Sequence, residues 1–268
     1  MWDFEHAPED RKLAESFEFS YTVPSQCAEQ LLAGTADIGI IPSITYATIP
    51  GLAVLPDVAI ASKNYVRSIL LVLKKPIEQV RTVALDTCSR TSVALTKVLF
   101  SKYFPGGAER EYLGMAPHLE VMLDRADAAL LIGDSALLVD RTRYEALDLA
   151  EEWRRFTGKP FVFAFWAIRF ASLNQANCPY DLGEVFSRSR DHGLESRNLD
   201  VIADEWAARL ALSEAQIKTY LTENIHYVLD PENSEGLELF YRYAAELGLI
   251  PEAPSLRLLG STSFKLYR

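Results

Sequence analysis

The sequence predicts an α/β fold of two lobes facing one another across a cleft, with added helices at the C-terminal side. Three observations predict it. Short apolar runs rich in β-formers alternate with segments of helical periodicity from Ser25 to Ile168, the pattern of sheets covered by helices. The alternation restarts after Lys74-Lys75-Pro76, which divides the pattern into two units. Beyond Gly183 the texture is helical only. A chain of 268 residues has room for two such units at ~150 residues per domain. Lobe one is expected over 1–74 and lobe two over 75–165, with 166–268 returning to lobe one and adding the C-terminal helices.

The elements follow in order. Residues 1–20 are polar and irregular, with a short helix expected around Glu9 to Phe17. Ser25 is placed to cap a helix through Cys27, Leu31 and Leu32, with Gly34 just past its end. Ala36 to Ile41 is a short buried strand stopped by Pro42, and Val54 to Ile60 and Val66 to Leu73 are further strands. In the second unit Val80 to Leu85 is a strand and Asp86 to Ser92 a polar turn. Leu95, Val98 and Leu99 mark one face of the helix that follows, which Phe104-Pro105-Gly106-Gly107 ends. Tyr112 to Met115 is a strand, Pro117 to Leu123 a helix, and Ala126 to Ile132 a buried strand stopped at Gly133-Asp134-Ser135. Glu151 to Arg155 predicts a solvated face around an inward Trp153. Phe161 to Ile168, aromatic and β-rich, is short enough for a buried strand. The crossing into lobe two is expected near Leu73 to Pro76, and the return within Phe161 to Ile168. Ile202, Trp206 and Leu210 share one helical face, and Ser213-Glu214-Ala215-Gln216 is a capping box. Asp230-Pro231 breaks that helix. Leu237, Phe240, Tyr241 and Ala244 form the last one, ended by Gly248 and Pro251.

Composition excludes several function classes. The net charge is −10, and nucleic acid or an anionic membrane needs a clustered basic footprint. A small anion needs only one local pocket. The longest apolar run, Phe161 to Ile168, is far short of the ~20 residues of a membrane span. The start, Met1-Trp2-Asp3-Phe4, has no basic region followed by an apolar stretch, so no secretory leader is expected. Cys27, Cys88 and Cys178 are never paired as CxxC, which fits reduced thiols in a cytoplasmic protein. His6, His118, His192 and His226 show neither HxxxH nor HExxH spacing, and GxGxxG, GxxxxGK[ST] and GxSxG are absent. Neither a metal nor a nucleotide cofactor is expected.

The segment richest in chemistry is Asp86-Thr87-Cys88-Ser89-Arg90-Thr91-Ser92. Between a strand and a helix, its first-turn N–H groups are free and the helix dipole favours an anion. A carboxylate suits its hydroxyls and the guanidinium of Arg90. The plain alternative is that Ser89 only caps the helix while Arg90 faces solvent. Pro42-Ser43-Ile44-Thr45 ends the first strand, and Gly133-Asp134-Ser135 holds the equivalent place in lobe two. Ligands in open α/β sheets sit beyond such strand ends, although either segment also reads as a plain turn.

These residues carry a resemblance. Ala36 to Ser43, Val66 to Leu71, Ser89 to Leu95, Ala129 to Asp134 and Glu152 to Trp166 are similar to the chorismate dehydratases of the futalosine route to menaquinone. That family is built like type 2 periplasmic binding proteins: two α/β lobes with an inter-lobe cleft, here with extra C-terminal helices. The resemblance spans roughly residues 25 to 170, and the helical C-terminal part matches in texture only. It implies the conversion of chorismate to 3-[(1-carboxyvinyl)oxy]benzoate and water, without a cofactor. It implies Ser89 closest to the chemistry, with Ser43, Thr45, Arg90, Thr91, Ser92 and Asp134 binding the dianionic substrate. It also implies a pocket Asn on a first strand, and Met1-Trp2-Asp3-Phe4 aligns just after that strand. A non-catalytic binder of the same fold and the sister enzyme acting on a cyclic futalosine derivative, thought to use a histidine, are the competing readings.

Overall fold

The computed structural model describes residues 1–6, 11–106, 109–175 and 180–260. The lead-in holds α1 (Trp2–His6), α2 (Arg11–Ser16) and α3 (Pro24–Ala33), which feeds β1 (Ile38–Pro42). Pro24 sits in the first turn of α3, where a missing N–H costs nothing, and the N-cap is Val23 rather than Ser25. Gly34 closes α3 in the left-handed conformation at φ 76°. Of the expected first helix, α2 is present, α1 was not foreseen, and Glu9 lies outside the described residues, as do Gly107 and Cys178.

Next come β2 (Leu52–Ser62), β3 (Ile69–Leu73), β4 (Thr82–Asp86) and α4 (Arg90–Lys102), then β5 (Glu111–Met115), α5 (Leu119–Arg125) and β6 (Ala128–Ile132). After these stand α6 (Gly133–Leu137), β7 (Glu145–Asp148), α7 (Leu149–Thr157) and β8 (Phe161–Arg169). The remainder is helical: α8 (Phe170–Gln175), α9 (Leu182–Gly193), α10 (Ser196–Leu210), α11 (Glu214–Thr219) and α12 (Pro231–Glu246). The capping box at Ser213 is formed, and Asp230 caps α12 by accepting from the Asn233 N–H.

The strands form two separate sheets, ordered β1-β8-β2 and β5-β4-β6-β3-β7. β3 pairs with β6 and β7, so the chain passes between sheets in the 63–68 segment, ahead of the Leu73 to Pro76 stretch where the sequence placed it. β8 pairs with β1 and β2 from Phe161 onward, so the chain is back in the first sheet by that residue. The Asp148 carboxylate holds the first passage. One oxygen accepts from the N–H groups of Val66 (3.0 Å) and Arg67 (2.6 Å), while the other caps α7 through Ala150 and Glu151.

One apolar core joins the sheets. Ile41 and Val54 of the first sheet, Leu71 and Val83 of the second, and Phe240 and Tyr241 of α12 belong to it. Trp153 is fully buried as expected, its indole N–H donating to Pro160 O (3.1 Å). Gly236 lets α12 press onto the second passage, since a Cβ there would lie 2.2 Å from Pro160 O. Ion pairs run along the same seam: Lys63 with Asp230 (2.6 Å) and Glu232 (3.1 Å), Arg154 with Glu232 (2.6 Å), and Lys159 with Glu235. On α10 the inward face is Asn198, Leu199 and Ala203, and Trp206 is 38% exposed, which corrects the face read from its periodicity.

Candidate functional site at the meeting of the two sheets

β4 runs parallel to both β5 and β6, so their C-terminal ends share one edge of the second sheet. At that edge stand the Asp86 to Ser89 turn, Pro117-His118 and Gly133-Asp134. Asp86 builds the turn: its carboxylate accepts from the Cys88 N–H at 2.8 Å. Ser89 is the N-cap of α4, half-buried, its hydroxyl accepting from the Ser92 N–H at 3.2 Å. Burial and the neighbouring Asp86 push the Cys88 thiol up, which holds this exposed sulfur protonated and unsuited to attack.

Lobe one meets this edge through the single turn Ser43–Ala47 that follows β1. Thr91 Oγ1 accepts from the Ile44 N–H (3.3 Å) and lies 3.4 Å from Ser43 Oγ. Ser43 Oγ donates to Val162 O (2.8 Å), and Tyr241 Oη donates to Ser43 O (2.7 Å). Ser43 and Thr91 are both buried, so these hydroxyls fasten one lobe to the other. Ser92 is buried beside them, and its carbonyl accepts from Thr96 Oγ1. Thr45 Oγ1 donates to Pro42 O (2.7 Å). Arg90 is exposed and paired with Glu29 of α3, an ion pair across the two lobes that periodicity alone does not reveal.

Thr45 and Arg90 come together. With Thr48, Lys97 and the Leu249–Ile250 segment they line a cavity of about 340 Å³ between the turn after β1 and one face of α4. Small-molecule sites begin at about this size. Asp134 stands apart, exposed in the first turn of α6. It neighbours a pair the sequence reading missed: Tyr220 Oη donates to Ser68 Oγ at 3.0 Å, and Ser68 O accepts from the Gly133 N–H at 2.7 Å. Burial first, then the charge of Asp134, pushes the Tyr220 phenol up and keeps it a donor. This pairing spans 152 residues of sequence, which local spacing does not encode. His118 occupies the N-cap position of α5, exposed, and borders a separate cavity of about 400 Å³ with Ser135 and Tyr144. Among the described residues, no group of three His, Cys, Asp or Glu side chains is placed to hold a metal. No helix among them is long and apolar enough to cross a membrane.

Residues 2–246 match the family described as menaquinone biosynthesis. The chain belongs to the menaquinone biosynthesis family. It is 33% identical over 258 residues to the chorismate dehydratase of Thermus thermophilus, covering 90% of each chain. The protein AF1704 of Archaeoglobus fulgidus superposes with a TM-score of 0.66 at 19% identity, over 86% of each chain. The periplasmic aliphatic sulphonate binding protein SsuA of Escherichia coli gives 0.64 at 16% identity, over 94% of this chain and 89% of the other. The alkanesulfonate-binding SsuA of Xanthomonas axonopodis, bound to MOPS, gives 0.62 at 15% identity, over 88% and 83%. This member of the menaquinone biosynthesis family therefore has the two-lobed periplasmic-binding-protein fold, as the resemblance implied. Arg90 and Thr45 line the cavity where the two lobes meet, and Ser89 caps the same helix.

Proposed function

We propose that the chain dehydrates chorismate to 3-[(1-carboxyvinyl)oxy]benzoate in the cytoplasm, as a carbon–oxygen lyase. The observation that supports this most is a cavity lined from both lobes by Thr45 and Arg90, on the helix that Ser89 caps, in a chain 33% identical to a chorismate dehydratase.

The reaction needs little from the protein beyond orientation. The ring carbon bearing the enolpyruvyl ether loses its proton, the neighbouring carbon loses its hydroxyl, and the C–H electron pair becomes the new ring double bond. Aromatisation drives the step, so no redox partner or cofactor enters the balance. The site must hold a dianion with the departing groups aligned. Arg90, on exchanging its pairing with Glu29 for the ligand, supplies a fork of donors to one carboxylate, and the positive end of α4 favours the same charge. Ser89, adjacent on the helix tip, donates to the departing hydroxyl as charge develops on its oxygen. The substrate's own carboxylate, held beside the ring, takes the proton. Thr45, whose hydroxyl donates to Pro42 O, shapes the wall of the cavity. Ser43, Thr91 and Ser92 support these groups by fixing α4 against lobe one, and Asp134 takes no part in this cavity.

Incubation of the purified protein with chorismate tests this reading. Loss of chorismate with an equal gain of the aromatic ether supports the lyase. Binding without turnover supports a solute binder instead.

A further inference from the structure

We propose that Lys97 anchors the second carboxylate of the substrate, and that the cavity beside α4 receives its ring. The inference rests on the chorismate reading above and assigns the subsites within it.

Arg90, Val93, Ala94 and Lys97 follow the i, i+3, i+4, i+7 spacing of one helical face, and all four line the cavity. Val93 and Ala94 therefore form an apolar floor with a cation at each end. Seven residues of helix separate the two cationic Cα atoms by ~10 Å. Side chains of a helix lean toward its N-terminus, so Lys97 leans back toward Arg90 and Ser89. Arg90 leans the same way, so the two cations stay about that far apart.

The Lys97 ammonium is engaged by an aromatic face rather than by a carboxylate. Lys63, Lys75, Lys102, Lys159 and Lys218 each reach a carboxylate. Lys97 has no carboxylate partner among the described ion pairs; its ammonium sits 5.2 Å over the Tyr112 ring. In a chain with 37 acidic residues against 27 basic ones, that pairing is conspicuous by position. No acidic side chain lines the cavity. The hydroxyls of Thr45 and Thr48 donate to the carbonyls of Pro42 and Thr45, and Leu249 and Ile250 give an apolar wall. Lys97, with Arg90 once it leaves Glu29, and the apolar faces suit an unsaturated dianion.

The test uses the full chain and its Lys97→Met and Lys97→Arg variants, with Lys97→Gln as a second neutral substitution. Turnover of chorismate is measured together with calorimetric binding of 3-[(1-carboxyvinyl)oxy]benzoate and of benzoate. Removing a charge-assisted anchor is expected to raise KM about tenfold with kcat within about twofold. The neutral variants are expected to weaken the dicarboxylate about tenfold while leaving benzoate unchanged, and Lys97→Arg to restore most of the loss. Unchanged KM and dicarboxylate binding in both neutral variants would overturn the anchor. If the natural chain binds the dicarboxylate through Lys97 but never turns over chorismate, the lyase reading fails and the anchor stands.

Discussion

At the residue scale, the proposed reaction gives Ser89 a second job beside its N-cap, and the two separate by magnitude. As an N-cap its hydroxyl is worth ~1 kcal/mol of stability. As a donor to the departing hydroxyl it acts only in the reaction. Ser89→Ala is therefore expected to cut chorismate turnover at least tenfold while melting drops by only a few degrees. Equal turnover in the variant would remove Ser89 from the chemistry. Ser89 was legible in the sequence because strand, polar turn and helix are local signals, and the cap is local too. Ser43 and Thr91 were legible as polar residues at strand and helix ends, but their contact crosses 48 residues and turned two expected ligand donors into an inter-lobe fastening. Lys97 and Tyr220 were not singled out. A lysine on a helix and a tyrosine after a capping box look like ordinary surface until the lobes are folded together.

The strands read well at the element scale where they were apolar and buried. β7, Glu145–Asp148, carries no β-branched residue and half its side chains are acidic, so nothing marked it as a strand. α6 opens with Gly133-Asp134-Ser135, residues that equally serve a turn. Two predictions belong here. Gly236→Ala would ordinarily favour a helix by ~1 kcal/mol. Its Cβ would meet the Pro160 carbonyl at 2.2 Å, so α12 must shift from β8. A net destabilisation of about 1–3 kcal/mol is expected by denaturant titration, and a stabilised variant would contradict the packing. The second concerns Asp127 ahead of β6. Burial raises its pKa, but the Lys75 ammonium and the N–H groups of Arg81 and Thr82 outweigh this and hold it at about 2, against 3.8 in the free side chain. Because the folded value is the lower one, this stabilisation is complete above pH ~4 and fades as pH falls toward 2. After solvent screening it amounts to on the order of 1 kcal/mol. Asp127→Asn should lose that much at neutral pH and nothing below pH ~2, and a deficit independent of pH would contradict it.

At the scale of the whole molecule, two sheets share one core and α12 braces both lobes. The sequence reading of two lobes rested on the restarted alternation, and two sheets are present. The passage between them was misplaced because β3 looks like a continuation of β2 until its partners, β6 and β7, are known. Since Phe240 and Tyr241 join apolar residues of both sheets, the lobes are expected to unfold as one unit. A single coincident thermal transition in far- and near-ultraviolet circular dichroism is the expected outcome; separate transitions would show that the shared core does not couple them. That braced pair of lobes is the frame of the proposed site at Ser89, Arg90 and Thr45. The most direct test of the account is a proton NMR time course of the purified chain with chorismate. The ring signals of chorismate are expected to decay as the aromatic protons of 3-[(1-carboxyvinyl)oxy]benzoate grow in equal amount, at a rate proportional to protein. Chorismate that persists beside the folded protein at its spontaneous rate of decay would contradict it.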